Sequence, residues 1–272
     1  MTNNRRSNPT SAHAVMIGLS VLAIFPVYWM VQTSFRPQNE IFTTSLWPSD
    51  PTLDNYRAVM KVMPIFGILW NTFLMAAATT VAQIVTGLLA AWALVRWRFP
   101  GGRLAHSLIA LSWLVPFQVV MIPNYVLAAK LDLLDSLTGL VVPNAAAAFA
   151  VLVLYNAMRG FPREVVEAAR MDGANSLRTL IEVVLPNLRA PVASISILCF
   201  ISAWNEYFWP LLLIRKMENS VVQIGLQFFM TQEGNDWGLL MAAATLASLP
   251  ILIIYLILQR QVVESFMKSG IR

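Results

Sequence analysis

A chain of 272 residues that is 57% hydrophobic and only 12% charged departs from the make-up of a soluble domain, in which about 25% of residues are charged. No single soluble core hides that much apolar surface, whereas lipid surrounds it readily once the backbone is satisfied inside helices. The expected fold class is therefore all-α, a polytopic membrane bundle, and the net charge of +5 is to be explained by topology before any nucleic acid is invoked.

Runs of about 20 apolar residues, the length that crosses roughly 30 Å of hydrocarbon, predict six transmembrane helices over 14–34, 66–95, 104–129, 137–158, 190–214 and 238–258. The whole chain, 1–272, reads as a single membrane domain. The second run is longer than a bilayer needs, which predicts tilt or protrusion. Arg5 and Arg6 precede the first run, but no small-residue cleavage site follows, so the run is read as a retained helix and not a leader. The single cysteine, Cys199, falls mid-span, where packing is its expected role and no intrachain disulfide is possible. Six helices pack their own centre, so a water-filled path would form between two such chains.

Orientation follows from the basic residues. Thirteen of the 19 lysines and arginines fall on one side: Arg5, Arg6, Arg96, Arg98, Arg103, Arg159, Arg163, Arg170, Arg178, Arg189, Arg260, Lys268 and Arg272. Five acids share that side, and the outer loops hold six basic and eight acidic residues. This is the positive-inside pattern, and it predicts that both termini are cytoplasmic.

The outer loops differ in character. Over 35–64, Pro37, Pro48, Pro51 and Trp47 set turns and an interfacial anchor, followed by an amphipathic stretch at 53–63. The segment 215–237 mixes charges with an apolar run at 221–230. Two readings stand side by side: docking surfaces for an external partner, or loops lying on the membrane.

The inner loop 159–189 is the only long polar segment on its side. Pro162 is expected at a first helical position, with Glu164 and Glu167 near the positive helix start and Arg170 near the end. Asp172-Gly173 should then stop the helix, since glycine accepts left-handed geometry. A second short helix is expected from Asn175 or Ser176 to Pro186. The result is a helix-turn-helix lying across the membrane face, with Ala168, Ala169 and Ala174 keeping the turn slim enough for a groove in another protein.

In the fifth span, Glu206 is the only acid or base expected inside the membrane, and an intramembrane carboxylate usually faces a cavity or a partner. Trp204, Asn205, Tyr207 and Trp209 surround it with hydrogen-bonding groups and the flat faces on which sugar rings pack. Pro210 is expected to break the helix and free backbone carbonyls. The preferred reading is that this segment lines a path or its outer gate; the other is an aromatic belt at the interface. Gln83, Gln118, Asn124 and Asn144 are further polar residues in spans, with Pro116, Pro123 and Pro143 beside three of them, and helix-to-helix bonding is their expected role.

Enzymatic readings find no support. No phosphate-cradling Gly-x-x-x-x-Gly-Lys-Ser/Thr loop occurs. His13 and His106 both lie near predicted helix ends, no metal or cofactor site is expected, and no nucleophile and base pair is recognisable.

The run Glu167-Ala168-Ala169, three residues, Gly173, nine residues, then Val183-x-Leu185-Pro186 resembles the EAA loop of ABC importer permeases, with Val183 where isoleucine is usual. The similarity extends to the carbohydrate-type permeases, the group containing the second permease of maltose uptake, through Asn55-Tyr56, Phe99-Pro100-Gly101-Gly102 and Gln259-Arg260. The tail from Glu264 to Arg272 departs from that group's glycine-rich ending. Trp204 to Pro210, and Glu233 to Gly238, look most like permeases importing glycerol 3-phosphate and related conjugates.

The resemblance implies a multi-pass protein of the bacterial inner membrane, importing a sugar, glycoside or glycerol conjugate, anionic ones included. It implies that Glu167, Ala168, Ala169, Asp172, Gly173 and Ala174 form the ATPase-coupling site, with a coupling helix around 169–176. The implied partners are a second permease chain, two copies of a cytoplasmic ATPase that binds the ATP and magnesium, and an extracytoplasmic solute-binding protein. An ion-coupled secondary transporter and a non-conducting structural subunit are the alternatives; the first would need a coupling-ion site and inverted repeats, and no repeat is evident.

Overall fold

The computed structural model describes residues 9–231 and 234–270. Arg5, Arg6, Glu233, Ile271 and Arg272 lie outside the described residues. The chain opens with α1 (Pro9–Ser34), α2 (Asp54–Val62) and α3 (Ile65–Arg96). Next come α4 (Gly102–Trp113), α5 (Phe117–Lys130), α6 (Leu137–Val141), which continues as a 3-10 turn to Asn144, and α7 (Ala148–Arg159). After α8 (Arg163–Met171), a helical stretch is built from α9 (Ser176–Arg178), a π segment (Thr179–Val184) and α10 (Leu185–Asn187). Then follow α11 (Arg189–Trp204), α12 (Phe208–Leu213) and α13 (Val222–Gln227). A two-residue antiparallel ladder of β1 (Met230–Thr231) and β2 (Gly234–Asn235) precedes the last helix, α14 (Trp237–Gly270).

Among the described residues three helices are long and apolar enough to cross a membrane, or up to six spans if each of three bent pairs counts as one. Five of the six sequence runs coincide with these helices and pairs; the run 190–214 matches only the second member of the pair Ser176–Asn187 and Arg189–Leu213, which meet at 86°, the first member falling in the 159–189 loop. Continuity is where the expectation fails. The run 104–129 is two helices, α4 and α5, meeting at 96°. Pro116 explains the break: it lacks an N–H and drives the residue before it out of helical geometry. Beside Pro143, the run 137–158 bends by 47°. At the other end of the chain, α14 continues 12 residues past the expected end at 258, because no proline or glycine occurs between Pro250 and Gly270 to stop it.

Two compact units make up the chain, Met1–Ile65 with Leu226–Leu249, and Phe66–Gly225 with Pro250–Arg272. In the first, α1 is apolar on every side and exposed from Ala12 to Val27, while Gln32, Thr33 and Ser34 at its end are buried. Beyond it Arg36 is fully buried. Among the described residues no carboxylate pairs with it; its donors reach Gln32 Oε1 at 2.8 Å, the Glu40 carbonyl at 3.1 Å, and oxygens of Thr43 and Ser45, and its guanidinium lies 5.2 Å from the centre of the Trp29 ring. Satisfying all donors with neutral oxygens and a π face is what makes a buried guanidinium tolerable. Asn55 donates to the carbonyls of Ser34 and Arg36, and the Tyr56 hydroxyl pairs with Ser34 Oγ at 2.6 Å. The 35–64 loop is thus a tied structure, and the expected amphipathic stretch at 53–63 folds as α2.

The second unit has two apolar cores. One gathers Trp92 of α3, Leu154 and Met158 of α7, Leu180 and Val184 of the π segment, and Ile195 and Cys199 of α11. Cys199 is therefore a packing residue. The other gathers Met75, Ala128, Leu140, Trp209, Leu213 and Val221. Gln83 and Thr86 of α3 donate to the carbonyls of Asn144 and Ala145, 2.9 Å each, which satisfies acceptors released at the bend before α7. For Gln83, helix-to-helix bonding is what the sequence predicted.

One loop joint was invisible in the sequence. Asp135 adopts φ 53° and its Oδ1 accepts the backbone N–H groups of Arg215 and Lys216 at 3.0 and 3.1 Å, while Asn219 donates to its carbonyl. These N–H groups hold the carboxyl below its ordinary value of 3.8. A depressed folded-state value adds stability above the unfolded pKa and loses it as pH falls through the folded one. Thermal unfolding in detergent should therefore show a constant gap between the native chain and Asp135→Ala from pH 8 to 5, closing only below about pH 4; a gap that closes near neutrality would contradict the assignment.

Candidate coupling loop and transport path

The charged loop folds as a helix-turn-helix. Pro162 is extended (ψ 128°) and sits one residue before α8, not in its first turn as expected. Its fixed φ still suits a helix entry. Glu164 lies in the first turn and Arg170 in the last, matching the helix dipole. The end of α8 is a Schellman motif: Gly173 has φ 82°, its N–H bonds the Arg170 carbonyl and the Ala174 N–H bonds the Ala169 carbonyl, both at 3.0 Å. Two orphan carbonyls are satisfied this way, and only glycine takes that φ without strain.

Asn175 then caps the next stretch, its Oδ1 accepting the Arg178 N–H at 2.8 Å. The implied coupling helix over 169–176 is thus corrected: those residues are a helix end, a turn and a helix start, because Gly173 and Asn175 each interrupt helical geometry. Glu167, Ala168, Asp172 and Gly173 are exposed, and Ala169 and Ala174 half-buried. Met171, which the sequence did not single out, is 89% exposed at the tip.

The other side of this loop is anchored. Thr179, Leu180 and Val184 are buried, while Leu177 and Ile181 face outward. Trp92 Nε1 donates to Ser176 Oγ at 2.9 Å, tying the loop to α3. The guanidinium of Arg178 bonds Glu182 at 2.8 Å, and that hydrogen bond raises its pKa. Only its period distinguishes the 176–187 stretch in sequence; the Trp92 anchor lies 84 positions away and gives no local signal.

Within the second unit a cavity of about 100 Å³ is walled by Thr79 and Gln83 of α3, Asn144, Ser202, Glu206 and Trp209. Glu206 is half-buried, and its Oε1 accepts the Trp209 N–H at 3.2 Å. The helix break therefore comes at 205–207, upstream of Pro210. Pro210 lies inside the first turn of α12, where its missing N–H is harmless. The structure brings Glu206 and Trp209 to this cavity and separates the others. Trp204 and Trp209 are both 1% exposed, so the flat faces expected to meet a sugar are covered. Trp204 packs on Phe200 at 5.8 Å, and Trp209 sits edge-on to Phe117 at 5.9 Å with Nε1 donating to the Gly139 carbonyl. Asn205 is exposed, donating to the Ile201 carbonyl and accepting from Gln223. Tyr207 stacks edge-on to Phe208.

Kinked apolar spans, an exposed helix-turn-helix rooted in their core and a polar cavity around a carboxylate define a membrane transport protein. The family model for binding-protein-dependent transport system inner membrane components matches residues 83–268, and the chain belongs to that family. It is 31% identical over 279 residues to the sn-glycerol-3-phosphate transport system permease protein UgpE of Pectobacterium atrosepticum, covering 99% of each chain. Identity to the arabinooligosaccharides transport system permease protein AraQ of Halalkalibacterium halodurans is 27% over 279 residues, covering 98% of this chain and 99% of that one. Among solved structures, it resembles a chain of a bacterial ABC transporter involved in the import of the acidic polysaccharide alginate, with TM-score 0.81 and 26% identity over 92% of this chain and 95% of that one. The protein is thus an ABC importer permease of the inner membrane, a transport subunit and not an enzyme. That sets aside the secondary-transporter and structural-subunit alternatives.

Proposed function

We propose that the chain is a single permease domain of six spans with both termini and the 159–189 loop in the cytoplasm, pairing with a second permease chain to enclose the path. Two copies of an ATPase bind ATP and magnesium beneath the pair, and an extracytoplasmic binding protein delivers the solute; the permease itself takes no cofactor. The tip formed by Glu167, Ala168, Ala169, Asp172, Gly173 and Ala174 enters a cleft of one ATPase. The observation that carries this reading is the two-sidedness of the loop: its tip is exposed, while its base shares one packed core with α3, α7 and α11. ATP-driven movement of the tip then reorients those helices, because the contacts there differ between the two states.

The path runs past Glu206, with Asn205 and Tyr207 beside it and Trp204 and Trp209 as the frame that fixes the break. The solute is a sugar, glycoside or glycerol conjugate. Hydroxyl, amide and carboxyl groups around the cavity suit a polyhydroxylated molecule, and the Glu206 carboxyl can accept hydroxyl bonds from a neutral glycoside. At about 100 Å³ the cavity holds a few waters and not a sugar ring.

Glu206→Gln should lower uptake of a neutral glycoside at least about tenfold, the loss of one charge-assisted hydrogen bond, with assembly unchanged. Uptake unaltered at every solute concentration would remove Glu206 from the path.

A further inference from the structure

At the end of the second unit that carries the coupling loop, two recessed cavities of about 880 and 310 Å³ lie side by side, sharing Arg98, Arg163 and Phe161 among their walls. Arg103 and Arg159 line the larger, and Arg96 the smaller. Glu167 is the one acid on either wall. None of the five arginines has a carboxylate within ion-pair distance; among the described residues the ion pairs are Arg57–Asp54 and Arg178–Glu182. Exposed aromatics, Trp97 and Phe99, stand at the mouth, and Leu104, Leu108 and Leu111 expose an apolar strip along α4 from the same place.

We propose that this cleft binds the headgroup of an anionic phospholipid, a two-phosphate lipid such as cardiolipin filling both cavities. Clustered guanidinium groups without counter-ions, converging on a recess between helices, match a phosphate in charge and in hydrogen-bonding geometry. Interfacial aromatics and the adjoining apolar strip provide for acyl chains, which a soluble phosphate would leave unused. The leaflet, inner, rests on the proposed topology; lipid binding itself does not.

The test uses the full-length permease in its purified complex, in nanodiscs of phosphatidylcholine doped with cardiolipin, with bound lipid read by native mass spectrometry. The triple variant Arg98→Gln, Arg103→Gln, Arg159→Gln should bind cardiolipin about 100-fold more weakly, roughly fivefold per arginine. The matching triple lysine variant, which keeps the charge, should retain most binding and guards against misfolding. Inorganic phosphate should not displace the lipid. Wild-type cardiolipin binding by the glutamine variant, displacement by phosphate, or loss of the ATPase with lipid retained would each overturn the inference. ATP-driven uptake, measured separately on the native complex, reads the permease function independently.

Discussion

Valine in place of Gly173 is expected to stop ATP-driven uptake while leaving the chain inserted and folded. At φ 82° an L-residue carries about 1–2 kcal/mol of strain, and branching at Cβ adds to it. A Cβ there would meet nothing within 4 Å, so the turn relieves the strain by changing its own shape, and the core beneath is untouched. The Schellman bonds of Gly173 and Ala174 are lost in that change, and Met171, Asp172 and Ala174 leave the positions that a cleft would recognise. ATPase association should weaken at least about tenfold, the equivalent of 1.4 kcal/mol. Asparagine, which visits left-handed geometry with little strain, should keep uptake within about threefold of the native chain. The measurement is uptake and ATPase co-purification for both variants in proteoliposomes with the binding protein; full uptake by the valine variant would show that the shape of the turn is irrelevant.

The second large effect falls on Gly139. A methyl group at this position would lie 2.0 Å from the Leu133 carbonyl oxygen and 2.7 Å from a Leu213 methyl. Neither neighbour has slack. The Leu133 carbonyl accepts Ser136 Oγ, Ser136 caps the Gly139 N–H, and the Gly139 carbonyl accepts Trp209 Nε1. Gly139→Ala therefore forces backbone apart where α6 meets α12, a loss of about 3 kcal/mol or more from a total that is only ~5–15 kcal/mol. Membrane levels should fall severalfold and the detergent-solubilised remainder should unfold at markedly lower temperature. Trp209→Phe keeps the ring and removes one hydrogen bond, about 1 kcal/mol, and should be well tolerated by the same assay. Equal stability of Gly139→Ala and the native chain would refute the close approach.

The contrast between these two glycines marks what local sequence conveys. Gly173 was readable because a helix stop depends on its own few residues, and the dipole-matched charges around it repeat the same message. Apolar run length placed the three long helices, and the apolar stretches of the bent pairs, for a similar reason. Gly139 was not readable: it is held between the Leu133 carbonyl, in a turn whose path no local signal announces, and Leu213 and Trp209, about 70 positions on. Arg36 looked like an ordinary outer cation because the oxygens that bury it belong to a loop whose path is set by tertiary contacts. Trp204 and Trp209 misled in the same way, since composition announces an aromatic but not the side from which it is covered. Pro116 was visible inside the third run, but the 96° break beside it depends also on what the two halves pack against.

The central claim, that the Gly173 turn is the ATPase's handle, is tested most directly by a thiol at Met171. This side chain is 89% exposed, and the native thiol, Cys199, is buried, so Met171→Cys in a Cys199→Ala background presents one reactive site. In membranes holding the assembled complex, a short thiol cross-linker should join this chain to the ATPase, with a yield that changes when ATP is added. Labelling of Met171→Cys in intact cells by a membrane-impermeant reagent, with no cross-link to the ATPase, would contradict the account.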